Sequence, residues 1–168
     1  MSLWGLYPFG GGAEIGHIGA YGERESTIAL EAVLEAQRHL ERNGEKTIIT
    51  REMDEYISAS KRKGIIKDSG IEILVIFRMN SSDDINIKGV KVAYVNRTGD
   101  MEYLAQLIKC EIQSELNTAD CGVINESNLY KDINCNAVIV YGEYISNTKV
   151  MENFDSKKYG YMVAKACL

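Results

Sequence analysis

Apolar and polar positions alternate along this chain in two rhythms. Between residues 25 and 43, Ala29, Val33, Ala36 and Leu40 recur at steps of three and four, the period of a helix burying one stripe, and Gly44 supplies its stop. Residues 103–116 repeat the pattern with Leu104, Leu107, Ile108, Ile112 and Leu116, residues 58–68 are basic and helix-compatible, and residues 157–168 are predicted helical. Between them lie runs too short for helices: LWGLYPF (3–9), KTIIT (46–50), ILVIF (73–77), VKVAYV (90–95) and NAVIVY (136–141). Two of these, 73–77 and 136–141, are apolar without alternation, which marks strands buried on both faces. Strands interleaved with helices predict an α/β fold, a single three-layer αβα domain over residues 1–168 with a largely parallel sheet.

Composition changes this picture little. The 168 residues suffice for one domain with a core, and 45% apolar with 26% charged residues is ordinary for a globular protein. A net charge of −5 without a concentrated basic face argues against a nucleic-acid partner. The cluster Lys61-Arg62-Lys63 reads as a solvated helix surface. No run approaches the length of a membrane span, so no membrane insertion is expected, and the opening residues lack the charged start and apolar core of a signal peptide. Cys110, Cys121, Cys135 and Cys167 form no CxxC pair and have no histidine nearby, a poor pattern for zinc or a disulfide framework. Cys110 and Cys167 fall in helix-like apolar patterns and are expected as buried free thiols.

Two motifs invite chemistry that their contexts do not support. Gly10, Gly12 and Gly16 give GxGxxxG, but a dinucleotide site needs its last glycine to open a helix, and here Gly19 and Gly22 intervene. Tyr161 and Lys165 have the YxxxK spacing of short-chain dehydrogenases, yet on a terminal helix they are simply one turn apart.

The stretch TREMDEYISASKRKGIIKDSGIEILVIFRMNSS (50–82) is more specific. It resembles, without a gap, the central motif of the zinc-dependent N-acetylmuramoyl-L-alanine amidases that cleave bacterial peptidoglycan. That motif is TR, two residues, Asp, then Ser, then Arg, an acidic residue before a strand, and a strand ending S-I-H-x-N. Thr50, Arg51, Asp54, Ser58, Arg62, Glu72 and Asn80 match it or nearly so. YPFGGGAEIGHIGAYGERES (7–26) takes the place of the family's DPGHGG opening. GVKVAYV (89–95) and MEYLAQLIKCEIQ (101–113) resemble the next strand and helix, and NAVIVYGEYISN (136–147) resembles the closing block.

The resemblance implies the phosphorylase/hydrolase-like fold of those amidases and action at the cell envelope of a bacterium, or on it by a phage. It also implies four functional positions. The family's zinc is held by a His in the opening loop, a Glu at the start of the first helix and the His of the S-I-H-x-N strand end. A Glu ending the closing strand is general base and acid. Three ligands leave room for a water of lowered pKa, whose proton that carboxylate moves. Carried over, the positions are Gly10, Glu25 (Glu23 if the loop gap is placed differently), Arg78 and Tyr141. A glycine offers no ligand, and a guanidinium does not deprotonate to become one.

The expectation is therefore no catalytic residue, with Tyr141 at the catalytic Glu position, and no resident metal. Arg78 is expected to face Glu25 and supply the positive charge. Glu25, Arg78, Asn80, Tyr141 and Glu143 form a candidate groove for peptidoglycan fragments or glycan strands. A second reading is an active amidase with zinc on a rebuilt His17, Glu25 and Glu143 site. Otherwise His17 is a loop residue, Glu143 a solvated one, His39 a helix-end residue, Met79 a packing residue and Asn80 a hydrogen-bonding strand end. A third reading is a purely structural or assembly protein.

Overall fold

The structure, a computed structural model, describes residues 2–168. In chain order its elements are β1 (Leu3–Pro8), α1 (Glu25–Arg42), β2 (Lys46–Ile49), α2 (Ala59–Asp68), β3 (Ile73–Asn80) and β4 (Val90–Val95). There follow α3 (Met101–Leu116), β5 (Asp120–Asn125), β6 (Asn136–Tyr144), α4 (Thr148–Met151) and α5 (Ser156–Ala166). The strands form one sheet in the order β2-β1-β3-β6-β4-β5, parallel throughout except where β4 meets β6.

Alternation along the central strands decides what each face buries. Val75, Phe77, Met79, Val138 and Val140 point to the side carrying α1, α3 and α5, where the stripe Ala29, Val33, Ala36 and Leu40 packs. Helices α1 and α5 meet at Gly160, where a Cβ would lie 2.0 Å from the Ala32 carbonyl oxygen, so only glycine permits that approach. Leu74, Ile76, Ala137 and Ile139 point to the opposite side, against Ile66 of α2 and Tyr130 and Ile133 of the β5–β6 connection. The three layers are thus unequal, and the second face is covered by one helix and a loop.

The elements depart from the sequence expectation in a few places. Strand β3 continues past Phe77 through Arg78, Met79 and Asn80, and β6 continues to Tyr144. Strand β5, mostly exposed at the sheet edge, lacks the apolar run that marks the others. Cys110 is exposed, not buried, because it lies two residues and about 200° around α3 from the buried Ile108. Cys167 is half-buried, with its thiol pushed up to about 12 by burial. Tyr161 packs edge-on against His39 at 4.7 Å, and Lys165 pairs with Glu111 at 2.6 Å, which absorbs the YxxxK spacing into packing. Among the described residues no helix is long and apolar enough to cross a membrane.

Candidate functional site

The C-terminal ends of β1, β3 and β6 converge with the N-terminus of α1. Register places Pro8 beside Phe77 and Arg78 beside Tyr141, so residues distant in sequence share one end of the sheet. Glu25, the first residue of α1, is fully buried there. Its Oε2 accepts from the Met79 amide at 2.9 Å and from Arg78 Nε at 3.3 Å, and its Oε1 accepts from the His17 amide at 3.2 Å. The Glu25 amide donates in return to the His17 carbonyl at 2.9 Å. One carboxylate therefore ties the glycine loop, α1 and β3 together, at a helix end whose dipole favours negative charge.

Arg78 faces Glu25, as expected from the resemblance. Burial disfavours its charge, but the Glu25 carboxylate beside it overrides that, and its pKa is raised. The guanidinium carbon sits 3.8 Å over the Phe9 ring and 5.6 Å from the Tyr141 ring. The Tyr159 hydroxyl, 3.0 Å from the Arg78 carbonyl and 2.9 Å from that of Val140, pins the two strand ends from the other face.

Tyr141 lies between Arg78 and Lys91, whose Nζ is 5.5 Å from its ring. Burial, and after it the neighbouring Tyr130, pushes its phenol up to about 12 from 10.0, so the folded state holds the proton more tightly than the unfolded chain. That contribution to stability is full below about pH 10 and is lost as pH rises towards the folded value. Tyr141→Phe should accordingly melt closer to the parent, or above it, at about pH 11 than at about pH 9. Thermal melts at both values check this, and an unchanged difference between the two proteins would count against it.

The glycine loop is held by two buried arginines. Arg62 donates to the carbonyls of Pro8 at 2.9 Å, Gly10 at 2.5 Å and Ile57 at 3.3 Å and to the Thr50 hydroxyl at 3.3 Å, and lies 4.3 Å over the Tyr7 ring. Arg51 donates to the carbonyls of Phe9 at 3.2 Å, Ser26 at 3.0 Å and Met53 at 2.9 Å. Burial, and then the nearby Arg62, lowers the Arg51 pKa. Reading Lys61-Arg62-Lys63 as a solvated face is thus wrong for Arg62, the only fully buried residue of α2. The signal was present, since both arginines occupy positions of the TR…S…R motif.

Gly10 has φ +69°, and a Cβ there would lie 2.3 Å from the Glu14 carbonyl oxygen. No side chain fits at this position without moving the loop. His17 presents its backbone to Glu25 while its residue surface is exposed. Glu23 accepts from the Tyr21 amide at 3.0 Å, within its own loop. Asn80 makes the strand-end hydrogen bonds: its side chain accepts from the Ser81 amide at 3.0 Å and its carbonyl from Ile145 at 2.8 Å. A register shift between Arg78 and Asn80 moves the pairing with β6 from Tyr141 to Tyr144.

Glu143 requires a correction. It is buried, not solvated, and its partners lie at the β4 and β5 strands rather than at Glu25. Its carboxylate accepts from the Gly89 amide at 2.8 Å, the Tyr144 amide at 2.9 Å and the Thr118 hydroxyl, fastening the starts of β4 and β5. Among the described residues no three His, Cys, Asp or Glu side chains assemble into a group able to hold a metal, so His17, Glu25 and Glu143 do not form the rebuilt triad.

A family profile described as Amidase_3, N-acetylmuramoyl-L-alanine amidase, matches residues 8–168. The chain belongs to this family. A putative N-acetylmuramoyl-L-alanine amidase of Buchnera aphidicola is 34% identical over 91 residues, 52% of this chain and 38% of that relative's length. Among solved structures, the amidase AmiC2 of Nostoc punctiforme superposes with a TM-score of 0.85 at 20% identity, over 98% of this chain and 92% of that one. The CwlD amidase of Clostridioides difficile, solved in complex with the GerS lipoprotein, gives 0.85 at 23%, over 99% and 94%. Cwp6 of Clostridium difficile gives 0.89 at 18%, over 99% of this chain and 28% of that one. At these identities the superpositions establish the α/β amidase fold.

The resemblance to the zinc-dependent amidases implies zinc at this end of the sheet. Of the three positions that the resemblance implies as ligands, only Glu25 offers a donor, and both its oxygens are engaged by protein N–H groups. Gly10 has neither a ligand nor room for one, and the Arg78 guanidinium holds positive charge against the one carboxylate. These residues do not fit a zinc ion.

Proposed function

We propose that this amidase-family chain binds peptidoglycan fragments without hydrolysing them. The observation that carries this reading is the Arg78–Glu25 pair at the ligand positions. A permanent cation 3.3 Å from the retained carboxylate supplies the charge that a metal would bring, but no Lewis acid and no activated water. Tyr141, opposite Arg78, is a protonated phenol and a weak base where the family has a carboxylate. The groove around them keeps aromatic and cationic walls suited to a polar, partly anionic polymer.

Elemental analysis, turnover of purified cell walls and co-sedimentation with them test the proposal together. Expected are zinc far below one per chain, no released peptide, and sedimentation of the protein with the walls. About one zinc per chain together with released peptide would establish an active amidase. Absence of affinity for both walls and soluble muropeptides would favour the assembly role.

A further inference from the structure

We infer that the pocket beside Arg78 binds the free C-terminal carboxylate of a short peptide. The choice of a peptide rests on the peptidoglycan-binding reading. The carboxylate rests on the pocket itself.

The pocket, of about 240 Å³, lies between β1, β3, α2 and the β5–β6 connection, with Tyr7, Phe9, Arg62, Arg78, Leu129 and Tyr130 on its walls. It is smaller than the roughly 300–1,000 Å³ of sites for drug-sized ligands, and suits one or two small residues of a chain end. Arg78 spends only Nε on Glu25. Its two terminal nitrogens donate to no protein group among the described residues, and neither is a buried orphan, so solvent reaches them. The Glu25 bond and the Phe9 ring fix the guanidinium plane, which leaves a rigid two-donor edge. That edge matches the two oxygens of a carboxylate, and its immobilisation precedes binding.

The surrounding charge favours the same ligand. Arg51 and Arg62 donate to carbonyl and hydroxyl oxygens, and among the described residues neither forms a salt bridge, although Asp54, Glu55 and Glu14 lie near enough to Arg51 to favour its charge. Asp132, the acidic residue on the wall, is paired with Lys63 at 2.7 Å. Arg62 and Arg78 both line the pocket, and of the two only Arg78 is paired with a carboxylate, the buried Glu25, so a second carboxylate on its free edge would meet two cations. Ile66, Ile76 and Leu129 give the rest of the wall an apolar surface for small side chains, and the Tyr7 phenol, held protonated by burial, remains a donor. Inorganic phosphate would satisfy the fork but gain nothing from the apolar wall, and a neutral sugar would leave the fork unmatched.

The test is an amide NMR titration of the full chain with N-acetyl-alanyl-alanine, with its C-terminal carboxamide, and with inorganic phosphate. The acid should shift Phe9, Arg78 and Tyr130 and bind at least about tenfold more tightly than the carboxamide, the value of one charge-assisted hydrogen bond. Arg78→Lys keeps a cation but loses the fork, and should lose the preference while circular dichroism shows it folded. The comparison of acid with carboxamide needs no variant. Equal binding of the two, no binding of the acid, or phosphate binding as tight as the acid overturns the inference. Muropeptides that bind whether or not their stem is amidated would sink it while sparing the peptidoglycan reading. Binding of the dipeptide acid without any muropeptide binding would do the reverse.

Discussion

Arg78→Met is expected to lower the unfolding free energy by about 3 kcal/mol, the lower end of the range for removing one partner of a buried ion pair. The lower end applies because Arg78 is not sealed from water, its side chain being 23% exposed, and because Glu25 keeps the Met79 and His17 amides. Glu25→Gln should cost a similar amount for a different reason. The neutral amide carries one oxygen where two backbone N–H groups and a guanidinium now converge, and an unmatched buried donor costs about 1–3 kcal/mol. The double variant, Glu25→Gln with Arg78→Met, should cost clearly less than the sum of the single changes, since the charges vanish together. Urea denaturation of the four proteins measures this. Single costs that add without coupling would show that the two side chains do not act as a pair.

How much of this arrangement the sequence revealed depended on where each signal resided. The long helices and the central strands were legible because their buried faces obey one period over many residues, as Ala29, Val33, Ala36 and Leu40 do. Strand β5 was not, because it is an edge strand that buries almost nothing and leaves no apolar run. The meeting of Glu25 with Arg78 came from the family resemblance alone, as the two lie 53 residues apart and local patterning says nothing about the register that joins them.

The errors at Arg62 and Glu143 share a cause. Charge on a helix face or near a strand end reads as solvated, yet each side chain is buried because several segments aim backbone groups at it. Those groups carry no residue-type signature, so the sequence shows the guest and hides the hosts. Cys110 erred differently. Its helix was correctly read, and counting its angle from Ile108 would have placed it on the outer face.

Arg62→Met should be the most damaging single change on α2, costing at least about 3 kcal/mol. Methionine preserves much of the apolar stem, so the loss isolates the guanidinium. Among the described residues, that group is the only side-chain donor to the carbonyls of Pro8 and Gly10, at the end of β1 and in the loop after it, and of Ile57, just before α2. Left unmatched in the buried space, each acceptor costs about 1–3 kcal/mol, reduced where water enters. Lys61→Met should move stability by no more than about 0.5 kcal/mol, as for an ordinary surface change. Lys63→Met loses only an exposed pair with Asp132, worth about 0–1 kcal/mol. Three consecutive basic residues thus make a graded internal control, read by thermal and urea denaturation. Hydrogen exchange adds a local measure, because freeing the Gly10 carbonyl should speed exchange at the Gly11 and Glu14 amides, which now bond across the loop at 2.8 and 3.0 Å. If Arg62→Met were no worse than its neighbours and left those amides protected, the loop would have to hold its shape without the guanidinium, and the burial of Arg62 would be a consequence of the fold rather than one of its supports.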